Sequence, residues 1–113
     1  MIFPEGTTTN GKYLMNFKRG AFEAMRTCVP CISKFSYCHY APTWEVISVP
    51  DLIIMWLCHS GLMLNTLYIL PPFVPNQYML EKHADKGEAE WEIYAWCVRD
   101  IIAKQGHYQL TDA

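Results

Sequence analysis

The residues best suited to chemistry gather near the start of this 113-residue chain, in the run Phe3-Pro4-Glu5-Gly6-Thr7-Thr8-Thr9-Asn10-Gly11. A proline stops the apolar opening, and a carboxylate, a glycine, three hydroxyls and an Asn-Gly turn signal follow. That is the composition of a strand running into a polar loop, the place where open α/β sheets put their ligands. Glycine lets a bound group approach the backbone closely. Gly6 is the point at which that approach is easiest. The Glu5 carboxylate is read as accepting hydrogen bonds from the loop or the ligand, as orienting a cation, or as tying the loop together.

A second constellation is Cys28-x-x-Cys31 with Cys38-His39, four potential soft ligands for zinc. Cys28 and Cys31 flank Val29-Pro30 in a β-type segment rather than a compact knuckle, and the second pair lacks the customary spacing, so no metal is expected. Five cysteines in all, with no apolar leader ahead of them, fit reduced thiols in a cytosol-facing protein. A net charge of -2 and the absence of any Lys/Arg run argue against nucleic acid as a partner.

The elements that must position the loop can be read from periodicity. The length suffices for one domain with a core, not two. Met1-Ile2-Phe3 reads as a strand. Leu14, Phe17, Ala21, Phe22 and Met25 recur at helical spacing, and Cys28 to Tyr37 has strand composition, which together predict a βαβ unit with the loop at its ligand-facing end. Ser48-Val49-Pro50-Asp51 signals a helix start, and Leu52 to Cys58 is apolar around its whole circumference, as in a helix that is buried or touches lipid. From Leu52 to Val74 no residue carries a formal charge, but Gly61, Asn65 and two prolines favour a helix followed by a strand (Thr66–Leu70) over a membrane span. Pro75-Asn76 begins a loop. Trp91, Tyr94, Ala95, Val98, Ile101 and Ile102 form one face of a last helix that ends near Gly106 and docks on the sheet.

Phe3-Pro4-Glu5-Gly6-Thr7, followed by Phe17-Lys18-Arg19-Gly20-Ala21-Phe22 and Val29-Pro30, resembles two successive sequence blocks of the glycerophospholipid acyltransferase superfamily. Thr8 to Asn10 resembles the lysophosphatidylcholine and lysophosphatidylethanolamine acyltransferase branch; the branch that acylates lysophosphatidic acid usually has arginine at the position of Thr8. Tyr94-Ala95, Val98-Arg99, Gly106 and Thr111-Asp112 resemble the end of the domain in the same branch. Thr27 and Cys31 depart from the commoner proline and valine.

The resemblance implies an α/β fold with a mixed sheet flanked by helices, residues 1–113 forming the C-terminal part of one acyltransferase domain. It implies transfer of an acyl group from acyl-CoA, as co-substrate and without a cofactor, to a lysophospholipid hydroxyl. Phe3, Pro4, Glu5, Gly6, Thr7, Thr8, Asn10 and Lys18 are the expected acceptor-binding residues: the N–H groups around Gly6 and Thr7, the threonine hydroxyls and Lys18 for the acceptor's phosphate, which Glu5 would repel, and Glu5 for the loop, a cation or the choline or ethanolamine head group. The family's base is a histidine in a His-x-x-x-x-Asp block ahead of the Phe-Pro-Glu-Gly-Thr block. None precedes Met1, so this chain is expected to be inactive alone and to need an upstream half-domain. The one literal match, His107 with Asp112, lies in the wrong order. The resemblance further implies attachment to a membrane surface, at the cytosolic face of the endoplasmic reticulum. A non-catalytic lipid-binding module or pseudoenzyme that keeps the acceptor loop is the alternative.

Overall fold

The computed structural model describes residues 1–7, 11–37, 47–58 and 63–111. In chain order the elements are β1 (Tyr13–Leu14), a 3-10 turn (Arg19–Ala21), β2 (Cys31–Tyr37), α1 (Val49–Cys58), β3 (Met63–Ile69), α2 (Gln77–Lys82), a second 3-10 turn (Ala84–Lys86), α3 (Glu90–Gly106) and β4 (Gln109–Leu110). β1 and β4 pair in parallel, Tyr13 opposite Gln109 and Leu14 opposite Leu110. β2 and β3 form an antiparallel ribbon from Cys31 opposite Ile69 to Tyr37 opposite Met63. Cys28 and Phe73 continue the ribbon by exchanging both backbone hydrogen bonds, at 3.1 and 2.7 Å. The expected α/β class, with parallel and antiparallel pairs among helices, is what the chain adopts.

The core is built on α3. Ile93, Tyr94, Cys97, Val98 and Ile102 recur at three- and four-residue steps and are buried against Leu14, Phe17, Phe22, Ile32 and Met79. Phe17 and Phe22 stack at 5.7 Å, and Phe22 meets the ring of Tyr94 edge-on at 5.3 Å, the geometries that ring quadrupoles favour. Tyr94 is 0% exposed. Its hydroxyl donates to the Arg26 carbonyl at 2.8 Å, which spares the core a buried polar orphan. Burial, together with a hydrogen bond to Cys28, pushes the Tyr94 phenol well above its usual range.

Local signals set the ends of these helices. At α2 the Asn76 side chain accepts the Met79 N–H at 2.8 Å, a cap at a place read in sequence as loop. At α3 the Glu92 carboxylate reaches back to the Glu88 N–H at 2.8 Å and the Ala89 N–H at 3.3 Å. Glycine is the usual left-handed stop, yet Gly106 is the last helical residue and His107 takes the left-handed conformation at φ 56. Glycine at 106 answers a different, steric need: the Tyr108 ring lies where a β-carbon on residue 106 would be.

Several sequence expectations need correction. Met1–Phe3 is not a strand, and its three side chains are exposed; the first strand is Tyr13–Leu14, which pairs with β4. The helix expected over Leu14 to Met25 is replaced by irregular chain and one 3-10 turn. The spacing correctly marked Leu14, Phe17 and Phe22 for burial, but pairing of β1 and Gly20 in mid-segment compete with helix formation. No βαβ unit results, because β1 and β2 belong to different sheets. α1 starts where its capping signal put it, with Ser48 Oγ donating to Asp51 at 2.5 Å. It buries only Leu52, and Leu57 is 81% exposed.

Tyr94→Phe keeps the ring packing and leaves the Arg26 carbonyl without its donor. It should cost about 1 kcal/mol, read as a lower urea midpoint with an unchanged slope; an unchanged midpoint would show that this hydrogen bond contributes nothing.

Candidate acceptor-binding site

The polar loop is a hydrogen-bonded turn. Gly6 N–H donates to the Phe3 carbonyl at 3.2 Å, and Gly6 adopts φ +69, a conformation in which a β-carbon is strained. A second bond, from Lys18 N–H to the Pro4 carbonyl at 2.7 Å, fastens the turn to the segment that follows β1. The side chain of Lys18 lies along the turn: a β-carbon on Gly6 would stand 3.3 Å from its Cγ and 3.7 Å from its Cε. The structure thus brings together Gly6 and Lys18, twelve positions apart in sequence. Thr7 is exposed beside them, Phe3 is 73% exposed, and Pro4 is half-buried. Thr8 and Asn10 lie outside the described residues.

Glu5 has a different environment from its neighbours. It is half-buried, and desolvation raises the pKa of its carboxyl while the positive charge of Arg99 pulls it back down. Tyr108 shares this environment, its phenol pushed up first by burial and then by the charge of Glu5. Arg99 is itself 4% exposed. Its Nη2 donates to the Leu14 carbonyl at 2.8 Å and to the Thr111 carbonyl, so one guanidinium joins β1, the exit of β4 and the surroundings of the loop carboxylate. Lys34 of β2 places its ammonium 5.6 Å from the Tyr108 ring centre and donates to the Gly106 carbonyl at 2.9 Å.

Arg99, Tyr108 and Lys34 were not among the site residues read from sequence. Arg99 left one trace: it follows Val98 and precedes Ile102 by three on the apolar face of the last helix, where a lone cation must find polar partners inside. The two described histidines are placed elsewhere. His83 packs on Trp96 with ring centres 5.3 Å apart, and His107 closes α3; its sequence partner Asp112 lies outside the described residues. Of the thiol cluster, Cys28 bridges to Phe73 and Cys31 is exposed in β2, while Cys38 and His39 are outside the described residues. Among the described residues no group of three or more His, Cys, Asp or Glu side chains is disposed to hold a metal ion.

The family model for the acyltransferases matches residues 1–60. The lysophospholipid acyltransferase LPEAT1 of Arabidopsis thaliana is 39% identical over 114 residues, covering 99% of this chain and 26% of that protein. LPEAT2 of the same plant is 32% identical over 68% of this chain and 14% of its own length. Lysophosphatidylcholine acyltransferase 1 of Rattus norvegicus is 31% identical over 99% of this chain and 20% of its own. The chain therefore spans about a quarter or less of the length of these relatives. No solved structure matches it significantly.

The raised pKa of Glu5 fixes the sign of a pH effect. A carboxyl harder to ionise in the folded chain than in the unfolded one opposes folding once charged. Stability should therefore fall as pH rises from the ordinary carboxylate value of 4.5 through the higher folded value. Glu5→Gln should unfold at higher urea than the parent chain at pH 7, and the difference should shrink as pH approaches 4.5. A less stable glutamine variant at pH 7 would mean that the attraction to Arg99 outweighs burial.

Proposed function

The chain belongs to the acyltransferase family, and from that premise we propose that it supplies the acceptor-binding loop of a lysophospholipid acyltransferase acting in phospholipid remodelling. The observation that carries this reading is the Lys18 side chain lying against the Gly6 turn. The loop and the cation are separate in sequence, yet here Thr7, with its N–H and hydroxyl, and the Lys18 ammonium adjoin one turn, whose own Gly6 N–H is held by the Phe3 carbonyl. Among the described residues that ammonium has no hydrogen-bond or ion-pair partner. This is the donor set a phosphate diester requires, a point charge plus directional hydrogen bonds. Glu5 is half-buried in the same loop, and Thr8 and Asn10 are assigned to the acceptor by the family resemblance alone.

In the reaction, the acceptor hydroxyl attacks the thioester carbonyl of acyl-CoA. Its proton passes to a base, and the thiolate of coenzyme A leaves. The part of this chain is to hold the acceptor by its phosphate so that the hydroxyl is presented in one orientation. Neither described histidine hydrogen-bonds to the loop, so the base is assigned to a segment outside the described residues.

The lipid acceptor also needs the site to lie at a bilayer. Ile53, Ile54, Trp56 and Leu57 of α1 and Leu64, Leu67 and Ile69 of β3 are exposed large apolar side chains. No helix among the described residues is long and apolar enough to cross a membrane, so attachment is proposed at the surface, on the cytosolic face of the endoplasmic reticulum by analogy with the family.

Flotation with phosphatidylcholine vesicles, with and without lysophosphatidylethanolamine, separates these two contributions. Leu57→Glu should reduce binding to both vesicle types. Lys18→Glu should remove only the increment due to the lysolipid, about ten-fold in affinity for a charge-assisted phosphate contact. An unchanged increment in Lys18→Glu would overturn the phosphate assignment. Residues 1–113 incubated with acyl-CoA and lysophosphatidylethanolamine should release no coenzyme A. Turnover would place the base within this chain and remove the alternative of a non-catalytic lipid-binding module.

A further inference from the structure

A cleft of about 270 Å³ lies between Asn16–Phe17 and one face of α3, and the acceptor site makes no use of it. Phe17, Trp91 and Trp96 give it apolar walls around the small side chain of Ala95, while Lys86 and the buried Arg99 bring two positive charges. Its one carboxylate, Glu92, already accepts two backbone N–H groups at the start of α3. The ammonium of Lys86 stands 5.3 Å from the Trp96 ring centre and 2.9 Å from Asp85, at an exposed rim where it can turn inward.

These features discriminate among ligands. A hydrocarbon chain would strip water from Lys86 and Asn16 and give no hydrogen bond in return. A head-group ammonium would face two like charges against one carboxylate that is already engaged. A phosphorylated aromatic ring meets all of them. Its flat face has phenyl and indole walls to stack on, its polar edge has the Asn16 amide, which can donate and accept together as an adenine edge requires, and its phosphate has the Lys86 ammonium to bond to and the fixed charge of Arg99 behind it, whose Nη2 is held by the Leu14 and Thr111 carbonyls.

We propose that this cleft binds a phosphorylated purine nucleotide. On the acyltransferase reading the nucleotide is the adenosine phosphate end of the acyl-CoA donor, and that identification alone rests on the reading. The cleft and the acceptor loop then flank one side chain, because Arg99 lines the first and adjoins Glu5 of the second.

Titration of residues 1–113 with adenosine 3′,5′-bisphosphate, followed by tryptophan fluorescence and calorimetry, tests the proposal. Saturable binding is expected, about ten-fold weaker for adenosine and for inorganic phosphate, and about ten-fold weaker in Lys86→Glu and Trp91→Leu. The exposed Lys86 makes the first variant safe for folding, which circular dichroism checks. Tighter binding of coenzyme A than of the bisphosphate identifies the donor; equal binding identifies a free nucleotide as the ligand. No saturable binding by the parent chain, or binding undiminished in Lys86→Glu, overturns the cleft. If the lysolipid increment in flotation survives that result, the acceptor reading stands without it; its loss in turn removes the acceptor reading.

Discussion

A guanidinium cannot give up its proton at any ordinary pH, so a buried arginine obliges the protein to build hydrogen-bond acceptors around it. Arg99 imposes that obligation here. Its two carbonyl acceptors come from Leu14 in β1 and Thr111 just beyond β4, and the parallel pairing of those two-residue strands is too short to persist on its own. The helix that carries Arg99 thereby holds the start and the end of the described fold together. Withdrawal of the charge would leave two carbonyls with fewer donors and Glu5 without its nearby cation, and losses of this kind are among the largest that single substitutions cause.

The acceptor loop inherits its geometry from that arrangement. Lys18 lies four residues after Leu14, so fixing β1 fixes the backbone from which the Lys18 N–H reaches the Pro4 carbonyl. The turn itself is local, set by Pro4 and by the left-handed Gly6. Only its attachment is long-range. Glu5 connects the two levels, since its charge acts on the phenol of Tyr108, whose ring can cross the end of α3 only because residue 106 has no β-carbon. A tyrosine near the end of the described chain thus shares the surroundings of a carboxylate near its start.

Away from this junction the chain has a different character. The aromatic cluster around Tyr94 is packed and its polar groups are hydrogen-bonded, whereas the β2–β3 ribbon and α1 expose apolar side chains along most of their length. The ribbon meets the packed half through Ile32, which is buried in the core, and through Lys34 at the Gly106 carbonyl. The described chain thus has one packed half and one half whose apolar side chains are exposed.

By itself the sequence determined what depends on nearest neighbours and on residue type. The last helix was legible in the period of Trp91 to Ile102, α1 in its capping signal, the polar loop in Pro4 to Thr7, and the family in the order of its blocks. The same periodicity identified Leu14, Phe17 and Phe22 as core but misassigned their conformation, because burial at helical spacing can be met by an irregular segment once β4 captures Leu14. The Asn76 cap, a bond to an N–H three residues on, was a local signal left unread. Tertiary structure alone decided that Met1–Phe3 forms no strand and that residue 106 must lack a β-carbon. It also decided that Arg99, Tyr108 and Glu5 share one environment. Each of these depends on contacts between residues tens of positions apart, or on a ring occupying the space of a missing β-carbon, and neither leaves a periodic trace in the chain.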